Sequence, residues 1–233
     1  MKIVDQHHEI LKITTDPIKH IEICGRTCYQ SQPGSAEKFS KMILTRGHET
    51  VIEHAHISVR FVTNRGVTHE LVRHRLCSFS QESTRYVRYD GNMEFIRPVW
   101  MNIPCGNVDE MSGKIYINGD WIKQPHHERF LRSLIESELA YLDLIDEMKS
   151  NLFPDNPYEA WRPEQAREVL PNSLKTEIVM SCNFREMRHI LNLRCSKKAH
   201  PQIRALMLNL LSDLKEIVPV IFDDIYEKYI KKT

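Results

Sequence analysis

The stretch EHAHISVRF, residues 53–61, alternates without a break. Ala55, Ile57, Val59 and Phe61 fall on one side, and His54, His56, Ser58 and Arg60 on the other. A period of two residues is that of a β-strand with one buried face, and from Glu53 onward it predicts such a strand with an imidazole-rich outer face. Helical patterns surround it. Upstream, residues 17–31 open with Pro17 and carry Ile18, Ile21, Ile23 and Cys24, and Ser35 to Arg46 form a second amphipathic segment stopped by Gly47. Downstream, residues 65–76 read as a helix and Tyr86 to Ile96 as another strand, so the residues between them are expected to form a loop held by rigid elements, a common setting for sites.

The second half is mainly helical. Residues 126–149 place Phe130, Leu131, Leu134, Ile135, Leu139, Leu142 and Ile145 along one wide stripe, and Pro163 opens a shorter helix to Leu170. Thr176 to Asn183 reads as a strand, Phe184 to Leu193 as a helix, and Pro201 starts a long helix that Pro219 must kink or divide. Helices with few strands and no regular alternation of the two give an α+β fold. No repeat or linker divides the chain, so residues 1–233 read as a single domain, with the Gly, Asn and Pro cluster between Arg97 and Pro125 as a surface excursion.

With 32 Lys and Arg against 31 Asp and Glu, the net charge is +1, and no overall field draws the chain to nucleic acid or an anionic membrane. The N-terminus MKIVDQHHEI lacks the basic and apolar regions of a signal peptide, and no run of about 18 apolar residues is present. The expectation is a cytoplasmic protein with no membrane partner. Six scattered cysteines, Cys24, Cys28, Cys77, Cys105, Cys182 and Cys195, read as reduced thiols, mostly buried.

Against this neutral background residues 65–88 stand apart, with five arginines (Arg65, Arg73, Arg75, Arg85, Arg88), no lysine and two acids (Glu70, Glu82), a local charge of +3. Within RHRLCSFSQESTRY, residues 73–86, the guanidinium forks alternate with the hydroxyls of Ser78, Ser80, Ser83 and Thr84. Planar forks grip phosphate through paired hydrogen bonds, and hydroxyls add neutral donors, so this is a phosphate or polyanion site in outline. Two other readings fit the same residues. The arginines could form a solvated surface in which Arg73 and Arg85 pair with Glu70 and Glu82. With the neighbouring Tyr and Phe residues they could also form a nucleic-acid module built on phosphate contacts and stacking.

Metal chemistry is the weaker rival. GHETVIEHAH, residues 47–56, holds three histidines and two glutamates, but His48 and His54 are six apart, and His69 and His74, five apart, would point about 140° from each other on a helix. No metal is expected. Cys77 beside His74 could be an activated nucleophile with its pKa depressed by the flanking arginines, or a structural thiol. Further downstream, Arg167 in AREVLP, Arg185 and Arg188 in NFREMRHILNLR, and Arg194 form a second arginine set, with Arg185, His189 and Asn192 along one side of the predicted helix.

Arg73-His74-Arg75, Ser78, Ser83 and Arg85 fit RHRxxSxxxxSxR, the thirteen-position signature with six fixed residues of the flavin-dependent thymidylate synthases. RGHETVIEH resembles that family's upstream segment, and AREVLP followed by NFREMRHILNLR resembles its downstream segments in the right order. The likeness runs from Arg26-Thr27-Cys28-Tyr29 to about Arg204, and residues 101–125 have no counterpart in it. The resemblance implies an enzyme that methylates uracil C5 of dUMP reductively, giving dTMP. Its one-carbon donor would be 5,10-methylenetetrahydrofolate and its hydride source FAD reduced by NADPH, with no enzyme cysteine attacking the ring. It also implies a twisted, mainly antiparallel sheet surrounded by helices, in a homotetramer whose active sites are shared between subunits.

By matched position, the resemblance puts His48, Thr50, Arg73, His74, Arg75, Gln81, Asn183, Arg185 and His189 at FAD. It puts Glu70, Arg73, Gln81, Glu82, Ser83, Thr84, Arg85, Arg167 and Arg194 at dUMP, with Ser83, Arg85 and Arg167 on the phosphate. Arg194 takes the catalytic role, a guanidinium that stabilises negative charge on the uracil edge. Some members carry Gln where Glu70 stands, Asn-Glu where Ser80-Gln81 stand, Asn where His189 stands and Ser where Cys28 stands. A glutamate facing a phosphate dianion is unfavourable, which points Glu70 toward another partner, with Arg73 the expected one.

Overall fold

A computed structural model describes residues 1–28, 30–149 and 163–231 of the chain; Tyr29, at the start of the family likeness, lies outside the described residues. The elements run β1 (Lys2–Val4), β2 (His7–Ile13), α1 (Pro17–Thr27), α2 (Ala36–Thr45), a 3-10 helix Glu49–His54, β3 (His56–Asn64), α3 (Arg65–Leu71) and β4 (Ser78–Gln81). Then come β5 (Glu94–Ile96), β6 (Gly106–Met111), β7 (Lys114–Ile117), β8 (Asp120–Trp121) and α4 (Pro125–Lys149). The remainder is α5 (Pro163–Ala166), a 3-10 turn Arg167–Val169, β9 (Lys175–Asn183), α6 (Phe184–Arg194), α7 (Pro201–Ile217) and α8 (Asp223–Tyr226), closed by a π turn Glu227–Lys231.

Helices and two sheets make the α+β class that the sequence predicts. One sheet has the order β5-β1-β6-β7-β8 and the other β2-β3-β9-β4. In the first, β1 and β5 are parallel, and the pairs β1–β6, β6–β7 and β7–β8 are antiparallel. In the second, Phe184 N–H donates to Ala55 C=O at 2.8 Å and the Ser58 and Ser181 hydroxyls meet at 2.7 Å, so numbering rises along β3 as it falls along β9, an antiparallel register. The chain forms two compact units, Met1–Gln6 with Val62–Thr68 and Gln81–Glu177, and His7–Phe61 with His69–Ser80 and Ile178–Thr233.

The first unit is built on a core of Ile3, Phe95, Val108, Ile115 and Ile117 from the five-stranded sheet and Ile122 just after it, with Leu131, Leu134, Tyr141 and Ile145 from α4. Residues 106–121, expected as a surface excursion, supply three of those strands. Two tight hairpins explain the correction. Met111 pairs with Lys114 across Ser112-Gly113 (φ 53° and 74°), and Ile117 pairs with Asp120 across Asn118-Gly119 (φ 51° and 88°). Two consecutive residues at positive φ are the turn that matches strand twist, and Asn-Gly is its strongest sequence signal. Conversely, the strand expected from Tyr86 is reduced to Glu94–Ile96, because Gly91 and Asn92 sit at φ 92° and 56°, a conformation no strand accommodates.

In the second unit β3 follows the predicted alternation, with Ile57, Val59 and Phe61 buried, though the strand begins at His56 after the 3-10 helix rather than at Glu53. β9 presents Ile178, Met180 and Cys182 to the same core, and α6 adds Phe184, Met187, Ile190 and Leu191. α7 supplies Ile203, Leu206, Met207, Leu210 and Leu211, and ends at Ile217 ahead of Pro219 as expected. α1 and α2 approach closely at Gly25, where a Cβ would lie 2.5 Å from the Phe39 ring. Buried Glu22 receives Lys19 Nζ–H, Arg26 Nε–H and the Gly34 amide, each at 2.8 Å, and so ties the loop after α1 to the helix. α3 ends at Leu71 rather than 76: the His74 amide turns back to the Leu71 carbonyl at 3.0 Å, and the arginine stretch enters a turn followed by β4, a short strand where a loop was expected.

Candidate active site

Asn183 ends β9 and caps α6, its Oδ1 accepting the Glu186 amide at 2.9 Å. That cap aims the first turn of α6 into a cavity of about 690 Å³ whose wall includes Asn183, Arg185, Glu186, Arg188 and His189, with Glu49 and Glu53 from the 3-10 helix. His48 and Thr50 flank Glu49 and are exposed. Thus three of the nine residues expected at FAD, Asn183, Arg185 and His189, line this cavity, and His48 and Thr50 adjoin its residue Glu49 in sequence. The guanidiniums in that wall already have partners. Arg185 Nη1 donates to Glu53 at 2.6 Å, which raises its pKa, and Arg188 donates to both Asp224 oxygens at 2.7 and 2.8 Å and to the Ile221 carbonyl. Arg188, buried and holding α8 to α6, is therefore structural.

At the other end of α6, Arg194 is clamped from three sides. Its Nε–H donates to His74 Nε2 at 3.1 Å, Nη1 to Glu70 Oε2 at 2.5 Å and Nη2 to the Glu70 carbonyl at 3.1 Å. Glu70 thus pairs with Arg194, and the expected Arg73 contact does not form. His74 is 6% exposed, with its Nδ1 3.8 Å from Glu186 Oε1 and its ring 6.3 Å from that of His189. Burial, with the Arg194 cation and His189 nearby, lowers the His74 pKa to about 4, so the imidazole is neutral at physiological pH. Burial also raises the Glu186 carboxyl, opposed by His189. Arg73 and Arg75 stand in the exposed turns on either side of His74 and have no ion-pair or hydrogen-bond partner among the described residues.

The remaining expected residues belong to the first unit. Gln81 Nε2–H donates to Thr68 Oγ1 at 3.0 Å. The Ser83 carbonyl accepts the Tyr86 and Val87 amides at 3.1 and 2.9 Å, and its hydroxyl accepts the Arg85 amide at 3.3 Å, which folds residues 83–87 into a compact turn over buried Thr84. Arg85 Nε–H donates to Glu164 Oε2 at 2.9 Å and lies over the Tyr86 ring, and the Glu164 bond raises the Arg85 pKa. Arg167 follows Glu164 in the next turn, so the structure joins the Ser83–Arg85 turn to the segment that carries Arg167. Glu82 accepts from Tyr89 Oη–H at 2.6 Å. The surface pairings Arg73–Glu70 and Arg85–Glu82 are both absent.

Glu186, Glu164, Glu53 and Tyr89 are site neighbours that sequence reasoning missed. Only Glu186 carried a signal: Asn183 followed three residues later by Glu is a capping pattern. Three of the thiols, Cys105, Cys182 and Cys195, have raised pKa values. Cys182 hydrogen-bonds Cys77, which with burial raises its pKa, and burial pushes Cys195 up to about 12. Cys182 and Cys195 are buried, Cys24, Cys77 and Cys105 half-buried and Cys28 exposed, so fewer thiols are buried than expected. Among the described residues no group of three or more His, Cys, Asp or Glu is placed to hold a metal ion, and no helix is long and apolar enough to cross a membrane.

Guanidiniums and hydroxyls are donors that suit phosphorylated ligands. A family model described as "Thymidylate synthase complementing protein" matches residues 9–220. The chain is 33% identical over 222 residues to a protein of Corynebacterium diphtheriae named flavin-dependent thymidylate synthase, covering 90% of this chain and 79% of that protein. It is 33% identical over 219 residues to one of the same name from Mycobacterium sp. (strain KMS), covering 88% and 78%. A third of that name, from Corynebacterium glutamicum, is 32% identical over 217 residues, with the same coverage. The chain belongs to the flavin-dependent thymidylate synthase family of enzymes.

Proposed function

We propose that this enzyme converts dUMP to dTMP by reductive methylation, taking its one-carbon unit from 5,10-methylenetetrahydrofolate and its hydride from FAD reduced by NADPH. The observation that carries the reading is the clamp on Arg194, which is gripped by Glu70 and His74 from positions 124 and 120 residues away. A guanidinium has five N–H donors; three are engaged here, leaving two for a ligand. Presented to the uracil N3–C4 edge, those two would stabilise negative charge there and increase electron density at C5, the carbon that attacks the folate methylene. C5 would lose its proton to water as the new carbon–carbon bond matures, the bond from the methylene to the folate nitrogen would break with tetrahydrofolate leaving, and no enzyme thiol would enter. The raised pKa values of Cys105, Cys182 and Cys195 support that reading.

Ser83, Arg85 and Arg167 would hold the dUMP phosphate, with Gln81, Glu82 and Thr84 shaping the turn that presents them. Arg85 gives only its Nε–H to Glu164, so its remaining N–H groups can take a phosphate oxygen. The donor set also fits FAD. Three carboxylates in the cavity wall, Glu49, Glu53 and Glu186, disfavour a pyrophosphate there and admit a neutral ring. Arg73 and Arg75, which have no ion-pair or hydrogen-bond partner among the described residues, would take the pyrophosphate, with His48, Thr50, His74, Gln81, Asn183, Arg185 and His189 around the flavin. When bound, FAD supplies the hydride. We further propose that the single 233-residue chain works as a homotetramer in the cytoplasm, with each active site shared between subunits and with no nucleic-acid or membrane partner. Purified protein supplied with FAD, NADPH, methylenetetrahydrofolate and dUMP is expected to form dTMP, detected by chromatography. No dTMP above a protein-free control would refute the proposal.

A further inference from the structure

Arginine has no hydrogen-bond acceptor, so the 3.1 Å contact between Arg194 Nε and His74 Nε2 requires a lone pair on Nε2. The neutral ring then carries its one proton on Nδ1. The carboxylate facing Nδ1 is Glu186 Oε1 at 3.8 Å, and the His74 and Glu186 side chains are 5% and 8% exposed. In so dry a setting a carboxylate at that distance favours the tautomer whose proton points toward it. Glu186 is itself fixed by the Asn183 cap on its amide, and it lies on the same helix as Arg194.

We propose that Glu186 is a positioning residue for Arg194, acting through His74: its carboxylate keeps the imidazole proton on Nδ1, leaving Nε2 to hold the Arg194 Nε–H. The opposite tautomer would set two N–H donors against each other and leave Arg194 held by Glu70 alone. The low His74 pKa agrees, since a doubly protonated ring beside the guanidinium would remove the acceptor altogether. The proposal rests on the catalytic reading of Arg194, but its first readout does not depend on activity.

That readout is the long-range ¹H–¹⁵N correlation of the His74 ring in the full-length ¹⁵N-labelled protein between pH 6 and 8. Wild type is expected to show the Nδ1–H tautomer, and Glu186→Gln a measurable Nε2–H population. In turnover at saturating FAD the same variant is expected to lose about tenfold in kcat, with KM for dUMP within about twofold of wild type. An Nε2–H ring in wild type, an unchanged tautomer in the variant, or an unchanged kcat would each overturn the proposal. His74→Gln keeps an acceptor near the Nε2 position, and adding Glu186→Gln to it is expected to cost nothing further. A full tenfold loss in that background would show that Glu186 does not act through the ring. If the wild type forms no dTMP, the functional reading fails while the tautomer measurement still decides the Glu186–His74 link.

Discussion

At the residue scale the account turns on Arg194. Arg194→Ala is expected to lower turnover by about 10²–10³, the usual cost of one electrostatic stabiliser, while dUMP binding stays measurable in a filter or calorimetric assay. Unaltered turnover would contradict its role. Ser83→Ala is expected to weaken dUMP affinity by about 10-fold to 100-fold, the loss of one hydrogen bond to a charged group, with activity persisting at saturating dUMP. Complete loss of activity would instead assign Ser83 a covalent step. What the sequence makes legible is the cluster itself, five arginines and no lysine between residues 65 and 88 with hydroxyls among them. The partners are not. Glu70 meets a guanidinium 124 residues away and Arg85 a carboxylate 79 residues away, and no local pattern encodes long-range pairings of that kind.

Among the elements, α6 does the most to build the site, since it carries Arg185, Glu186, His189 and Arg194 and is seated by Phe184. That ring is fully buried and packs edge-on against Phe222 with centroids 5.5 Å apart. Phe184→Ala is expected to destabilise the protein by about 3–5 kcal/mol in denaturant unfolding; a loss below 1 kcal/mol would mean that α6 is anchored elsewhere. The α1 loop depends on Glu22, whose carboxyl is held down at about 2 by hydrogen bonds from Lys19, the Gly34 amide and Arg26. A lowered folded-state pKa contributes stability above the ordinary carboxylate value that disappears as pH falls toward the folded value. Glu22→Gln should therefore flatten the dependence of melting temperature on pH between about 4.3 and 2; parallel curves for variant and wild type would contradict the assignment. Long helices and the β3 alternation are readable because burial imposes a period on many residues at once. The hairpins at Ser112-Gly113 and Asn118-Gly119 join strands of two to six residues, too short to establish a period, so only their turns marked them.

For the whole molecule, a chain of net charge +1 gathers arginines in a few segments, and its two compact units carry separate parts of the expected ligand set. The second unit holds the cavity wall, the clamped Arg194, and Arg73 and Arg75, which have no partner among the described residues. The first holds the turn from Ser83 to Arg85 and the neighbouring Arg167. The proposed function gives these donors two phosphorylated ligands, FAD and dUMP. Titrating FAD-loaded protein with dUMP while following the flavin absorbance tests this most directly. The account predicts a saturable spectral change that Arg85→Ala shifts to higher dUMP concentration. A flavin spectrum unmoved by millimolar dUMP would contradict it.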